Sequence, residues 1–116
     1  MAVKRIVANI AAKDPQESRS FYETLFGLDV VMDHGWIVTF ASEGLAKAQL
    51  SVASEGGSGT TVPQISIEVD DVDKVYELAK IGGFEIVYQI ADEPWGVRRF
   101  YVRDPSGAII NVLQHS

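Results

Sequence analysis

The stretch Asp14-Pro15-Gln16-Glu17-Ser18-Arg19-Ser20-Phe21-Tyr22-Glu23-Thr24-Leu25-Phe26-Gly27-Leu28 reads as a helix with both ends marked. Asp14 suits the N-cap because its carboxylate can accept the backbone N–H groups that a first turn leaves unpaired. Pro15 loses nothing at the first helical position, and Glu17 supplies a capping-box spacing. Phe21 and Leu25 lie four apart and share one face, while Gly27 can take the left-handed conformation that ends a helix. Upstream, residues 3–11 read as a strand in which Ile6, Ala8 and Ile10 alternate with Val7 and Asn9. Downstream, Leu28 to Met32 is a β-branched apolar run, Asp33-His34-Gly35 turns the chain into Trp36 to Phe40, and a further strand runs from about Lys47 to Val52. The first half is therefore β-α-β-β-β.

Residues 53–62, Ala-Ser-Glu-Gly-Gly-Ser-Gly-Thr-Thr-Val, are rich in glycine and serine and read as a flexible linker. Beyond them the order recurs. Gln64 to Val69 alternates as a strand, Asp70 or Asp71 caps a helix with Val72, Val75, Tyr76 and Ala79 on one stripe, and Gly82-Gly83 ends it. Phe84 to Ile90, Val97 to Val102 and Ile109 to Leu113 supply three more strands, the last preceded by the tight turn Asp104-Pro105-Ser106-Gly107. The expectation is an α+β fold of two βαβββ modules in one domain, 1–116: module 1 at about 1–53, a linker at 54–62, and module 2 at about 63–116. One helix covers only one face of a twisted sheet. The sequence thus predicts a curved, mixed, cleft-lining sheet with helices on its outer face.

Composition narrows the function classes. The 116 residues are 47% apolar and 22% charged, which suits a globular chain that buries roughly two thirds of its unfolded surface. The absence of cysteine removes disulfides, thiolate metal sites and thiol nucleophiles. A net charge of −6 with scattered basic residues speaks against nucleic acid, whose binding needs clustered cations to release counterions. The first residues lack the pattern of a signal peptide, and no run approaches a membrane span, so a soluble, cytoplasmic protein is expected. No Ser, His and carboxylate stand at a recognisable triad spacing, and no glycine-rich loop links a strand to a helix.

Phe21-Tyr22, Leu25-Phe26-Gly27-Leu28, Gly82-Gly83-Phe84 and Arg103-Asp104-Pro105-Ser106-Gly107, at these separations, resemble the vicinal-oxygen-chelate superfamily. That group includes glyoxalase I, extradiol dioxygenases, fosfomycin-modifying enzymes and bleomycin-resistance proteins, and the likeness spans essentially the whole chain. Its metal-dependent members carry one ligand at a central position on each of four strands. The resemblance puts those positions at Val7, Gln49, Gln64 and Asn111. A valine and three neutral amides include neither an anionic oxygen nor an imidazole, so neither a metal nor another cofactor is expected. His34 and His115 read as surface residues.

What remains is a pocket for a small molecule. Inward-facing amides are costly if left dry, which implies water or a ligand opposite Gln49, Gln64 and Asn111. Trp95, in the segment Asp92 to Phe100, matches the tryptophan that bleomycin-binding members stack on their ligand. Trp36 offers a second aromatic wall. Glu68 should face the cavity, Arg98 is a candidate for an anionic group, and Tyr101, with Glu68, is a candidate acid or base. The reading is a metal-independent, homodimeric binding protein that holds a polar or aromatic ligand for sequestration or resistance. The alternatives are a glyoxalase-like lyase or isomerase and a non-catalytic interaction module.

Overall fold

The computed structural model describes residues 2–42 and 49–116. Its elements run β1 (Val3–Ala11), a 3-10 turn (Pro15–Ser18), α1 (Arg19–Phe26), β2 (Asp29–Asp33), β3 (Ile37–Ala41) and β4 (Gln49–Ala53) in the first half. The second half holds β5 (Ile65–Val69), α2 (Val72–Ile81), β6 (Ile86–Glu93), β7 (Val97–Arg103) and β8 (Ile109–His115). The expected start of β4 at Lys47 lies outside the described residues. The chain divides into an N-terminal unit, Val7–Val62, and a C-terminal unit, Met1–Ile6 with Pro63–Ser116.

Both units have one topology. In the N-terminal unit the strand order is β2-β3-β4-β1, with β1 parallel to β4 and the other pairs antiparallel. In the C-terminal unit it is β6-β7-β8-β5, with β5 parallel to β8 and the rest antiparallel. A parallel pair cannot be closed by a hairpin, and in each unit the helix and two intervening strands make the return. The architecture is α+β, as expected.

Local chemistry sets the helix ends. Asp14 accepts from Gln16 N at 3.0 Å and opens the 3-10 turn, so α1 begins at Arg19, later than Pro15. Gly27 closes α1 in the left-handed region at φ 63°, where its N–H reaches the Glu23 carbonyl. Asp71 caps α2 by accepting from Lys74 N at 3.1 Å. Asp70 instead holds Ala2 N at 2.7 Å.

The cores lie between helix and sheet. Val72, Tyr76 and Ala79 of α2 pack on Phe100, Ile110 and Val112, the stripe expected for this helix. For α1 the face shared by Phe21 and Leu25 points outward. Phe21 and Leu25 are 53% and 62% exposed, and Tyr22 supplies the core contact, its ring 5.2 Å from that of Phe40. Helical spacing says which residues share a face, and only the packing of the short α1 decides which face turns inward.

Residues 54–62 are bonded rather than a loose tether. Gly56 N reaches Thr60 O at 2.8 Å, Thr60 N reaches Gly57 O at 3.0 Å, and Gly59 N reaches the Glu55 carboxylate at 3.2 Å. Gly57 and Gly59 sit at φ 87° and 75°, which lets the loop fold back on itself. It belongs to the N-terminal unit.

Candidate functional site

Strand register decides which side chains share the face of the C-terminal sheet that α2 leaves uncovered. Ile67, Val112 and Phe100 are paired across the strands and packed against α2, so their sequence neighbours point the other way. That places Ser66, Asn111, Tyr101 and Tyr88 in one row, since Ser66 pairs with Asn111, Asn111 with Tyr101 and Tyr101 with Tyr88. The next row on the same face carries Glu68, Leu113 and Arg99.

Two polar systems occupy this face. In the first, the Arg99 Nη2 meets Glu93 Oε2 at 2.7 Å, with the two side chains 3% and 5% exposed. Arg99 Nη1 also donates to the Tyr101 hydroxyl at 3.1 Å, and the Tyr88 hydroxyl donates to Glu93 at 3.2 Å. The guanidinium carbon stands 4.9 Å from the Trp95 ring centre, 5.0 Å from Tyr101 and 5.2 Å from Tyr88, so three aromatic rings and one carboxylate enclose the cation. In the second, Glu68, 15% exposed, lies between Arg5 Nε at 3.1 Å and His115 Nδ1 at 2.7 Å.

Asn111 stands apart from both. It is 8% exposed, and its Nδ2 donates to Ser66 Oγ at 3.0 Å. Its Oδ1 is buried with no hydrogen-bond donor among the described residues. Such an acceptor carries a penalty of about 1–3 kcal/mol until a donor arrives.

The sequence-derived site residues therefore separate. Asn111 is paired with Tyr101 across β7 and β8, Tyr101 and Trp95 share the Arg99 guanidinium, and Glu68 lies on the same sheet face as Asn111 and Tyr101. Gln64 sits at the sheet margin, exposed, its amide oxygen accepting from Ile109 N at 2.7 Å. Arg98 lies on the α2 side, bonded to Asp73 at 2.9 Å and Asp92 at 3.2 Å. The Arg98 hydrogen bond holds the Asp73 carboxyl below its ordinary value, and the same bond raises Arg98. Arg98 is thus a helix-to-sheet tether, not part of the polar face. Alternation puts consecutive arginines on opposite faces, and the inward one is Arg99. Its position two residues from Tyr101 was the available signal; Glu93 and Tyr88 had none beyond their strand.

In the N-terminal unit, Val7 is 6% exposed, Gln49 opens β4 opposite Ala41, and Trp36 precedes β3 with its ring 6.2 Å from that of His34. Asn9 pairs with Ser51, and Ser51 with Thr39, whose hydroxyls meet at 2.7 Å. Asn9 precedes its cap Asp14 by the same five residues that separate Ser66 from Asp71. By topology the counterpart of Asn111 is therefore Ser51, two residues beyond Gln49.

These residues do not fit a divalent ion. Val7 has no donor atom, the Gln64 oxygen is committed to a backbone N–H, and Asn111 could offer only a single neutral oxygen. Among the described residues no three of His, Cys, Asp and Glu cluster as ligands.

A model of the glyoxalase/bleomycin resistance protein/dioxygenase superfamily matches residues 3–112. The chain belongs to that superfamily. Solved structures agree at the level of fold. A superfamily member from Vibrio splendidus 12B01 is 17% identical with a TM-score of 0.67, the match covering 99% of this chain and 100% of that one. A methylmalonyl-CoA epimerase from Streptomyces coelicolor is 16% identical with a TM-score of 0.73, covering 99% of both chains. The methylmalonyl-CoA epimerase from Mycobacterium tuberculosis is 16% identical with a TM-score of 0.64, covering 98% of this chain and 87% of that one. A comparison with curated proteins finds no match.

Within this superfamily fold an apolar cavity of about 310 Å³ lies away from the polar face, lined by Val75, Leu78, Ala79, Phe84 and Val102 and by the turn at Pro105. Among the described helices none is long and apolar enough to cross a membrane.

Proposed function

We propose that this chain is a metal-independent small-molecule-binding protein of the cytoplasm. It holds a polar or aromatic ligand on the helix-free face of its C-terminal unit, for sequestration or resistance. The observation that carries this reading is Asn111: a buried amide on that face, in register with Ser66 and Tyr101, with one oxygen that no group among the described residues satisfies. Trp95 supplies flat aromatic surface at the edge of the same cluster. A fragment library of ring compounds screened by thermal shift and protein-observed NMR tests it. Hits should perturb Asn111 and Trp95 and should weaken at least tenfold in Asn111→Leu. Hits that map only to the cavity beside Phe84 would reject it.

Self-association is part of the proposal. Phe21, Leu25 and Phe26 of α1 are 53%, 62% and 61% exposed, an apolar surface that suits a homodimer.

A second reading, a lyase or isomerase, is favoured by one contact. Glu68 holds His115 Nδ1 at 2.7 Å, and a carboxylate oriented on one ring nitrogen leaves the other to move a proton. A glyoxalase assay with and without added nickel or zinc separates the two, since turnover would put catalysis first.

A further inference from the structure

We infer that the ligand of this face is an uncharged planar molecule bearing an N–H or O–H donor, and that anions of the same shape are turned away. The inference deepens the binding reading above and rests on it. A buried arginine in a ligand site would ordinarily suggest a carboxylate or phosphate. Here the charges on the face close on one another. Arg99 Nε and Nη2 both reach Glu93 Oε2, at 2.8 and 2.7 Å, and Nη1 reaches the Tyr101 hydroxyl at 3.1 Å. Rings of Trp95, Tyr101 and Tyr88 stand about the guanidinium. An incoming anion would have to displace Glu93 from a pair that is 3% and 5% exposed. The Glu68 carboxylate, 15% exposed, also has partners, Arg5 Nε at 3.1 Å and His115 Nδ1 at 2.7 Å. A cationic ligand would in turn meet Arg99.

Among the described residues, a neutral acceptor on this face is left without a hydrogen-bond partner: the Asn111 oxygen. It asks for a donor, and a carboxylate would set acceptor against acceptor. The chain's net charge of −6 works against anions as well. The oxygen has almost no exposed surface, so a ligand reaches it through a turn of the amide about its terminal torsion, which is broad and soft.

Naphthalene-2-carboxamide, naphthalene-2-carboxylate and methyl naphthalene-2-carboxylate share one ring and differ in donor and charge. Titration of each into the full chain, with the Asn111 side-chain NH2 followed by NMR, reads out the preference. The carboxamide should bind at least tenfold more tightly than the carboxylate and the ester, and it alone should move the Asn111 resonances. In Asn111→Leu the carboxamide and ester should fall within twofold of each other. Asn111→Ser repeats the comparison with a smaller side chain, and the wild-type ranking decides if neither variant folds. Carboxylate binding as tight as carboxamide binding overturns the inference while leaving a ligand site in place. So does a ranking unchanged in a folded Asn111 variant. Failure of all three probes to bind or to shift Asn111 overturns the binding reading itself, and the inference with it.

Discussion

Arg99 and Glu93 form an ion pair at 2.7 Å whose side chains are 3% and 5% exposed, six residues apart across the β6–β7 turn that carries Trp95. Removing one member of a buried pair strands the other charge out of water, which typically lowers stability by about 3–5 kcal/mol. Arg99→Met and Glu93→Leu should each show a loss of that order in urea denaturation. The double variant should lose clearly less than the sum of the singles, because it leaves no buried charge. Additive losses would mean that the two side chains do not act as a pair.

Arg98 serves as the internal control, since it lies one residue away and on the opposite face. Its partners Asp73 and Asp92 are 60% and 75% exposed, and exposed pairs contribute little. Arg98→Ala should therefore be far milder than Arg99→Met in the same denaturation series. It should leave ring-compound binding unchanged, as read by the Trp95 and Asn111 resonances. A loss of binding in Arg98→Ala would restore this residue to the site.

The contrast between these two arginines shows where sequence reading stops. Alternation says that they part company, yet the phase of the strand comes from Phe100 and Val112 packing under α2, a tertiary fact. Features set by local chemistry were legible: the Asp71 cap, the left-handed Gly27 and the Asp104 turn each depend on a few adjacent atoms. The duplicated βαβββ order followed from such signals in series. Tyr22 rather than Phe21 faces the core because α1 is only eight residues long, and its seat on β3 decides the matter. Asn111 could be singled out through the family resemblance, but its half-satisfied state could not, because the partner Ser66 is 45 residues away.

Acid should destabilise the fold through its structural aspartates. Asp104 lies below its ordinary value of 3.8 because it accepts from the Ser106 hydroxyl, and also from Ala108 N. Asp33 is lowered by the Gly35 N–H and then by Gln16, and Asp70 by the Ala2 N–H. A carboxyl whose folded value is depressed binds fewer protons folded than unfolded, so its contribution is full above the unfolded value and fades as pH falls through the folded one. Stability should be level near neutrality as far as these groups are concerned. It should begin to fall as pH approaches the ordinary carboxylate range, and keep falling below it. Asp104→Asn should flatten part of that acid limb in urea midpoints measured against pH. A limb unchanged in the variant would remove Asp104 from the account.

The exposed side of α1 gives the last test. Phe21 and Phe26 rings lie 6.0 Å apart, and with Leu25, 62% exposed, they form an apolar surface on a helix that buries none of its residues fully. If this surface meets a second copy, a charge at its centre must be desolvated on association, and the dimer should dissociate. Leu25→Glu should sediment as a monomer at micromolar concentrations at which the unaltered chain is a dimer. Its denaturation midpoint at high dilution should be little changed, since the side chain supports no intrachain core. An unaltered chain that is itself monomeric would remove the homodimer from the proposal. A Leu25→Glu dimer would move the interface elsewhere.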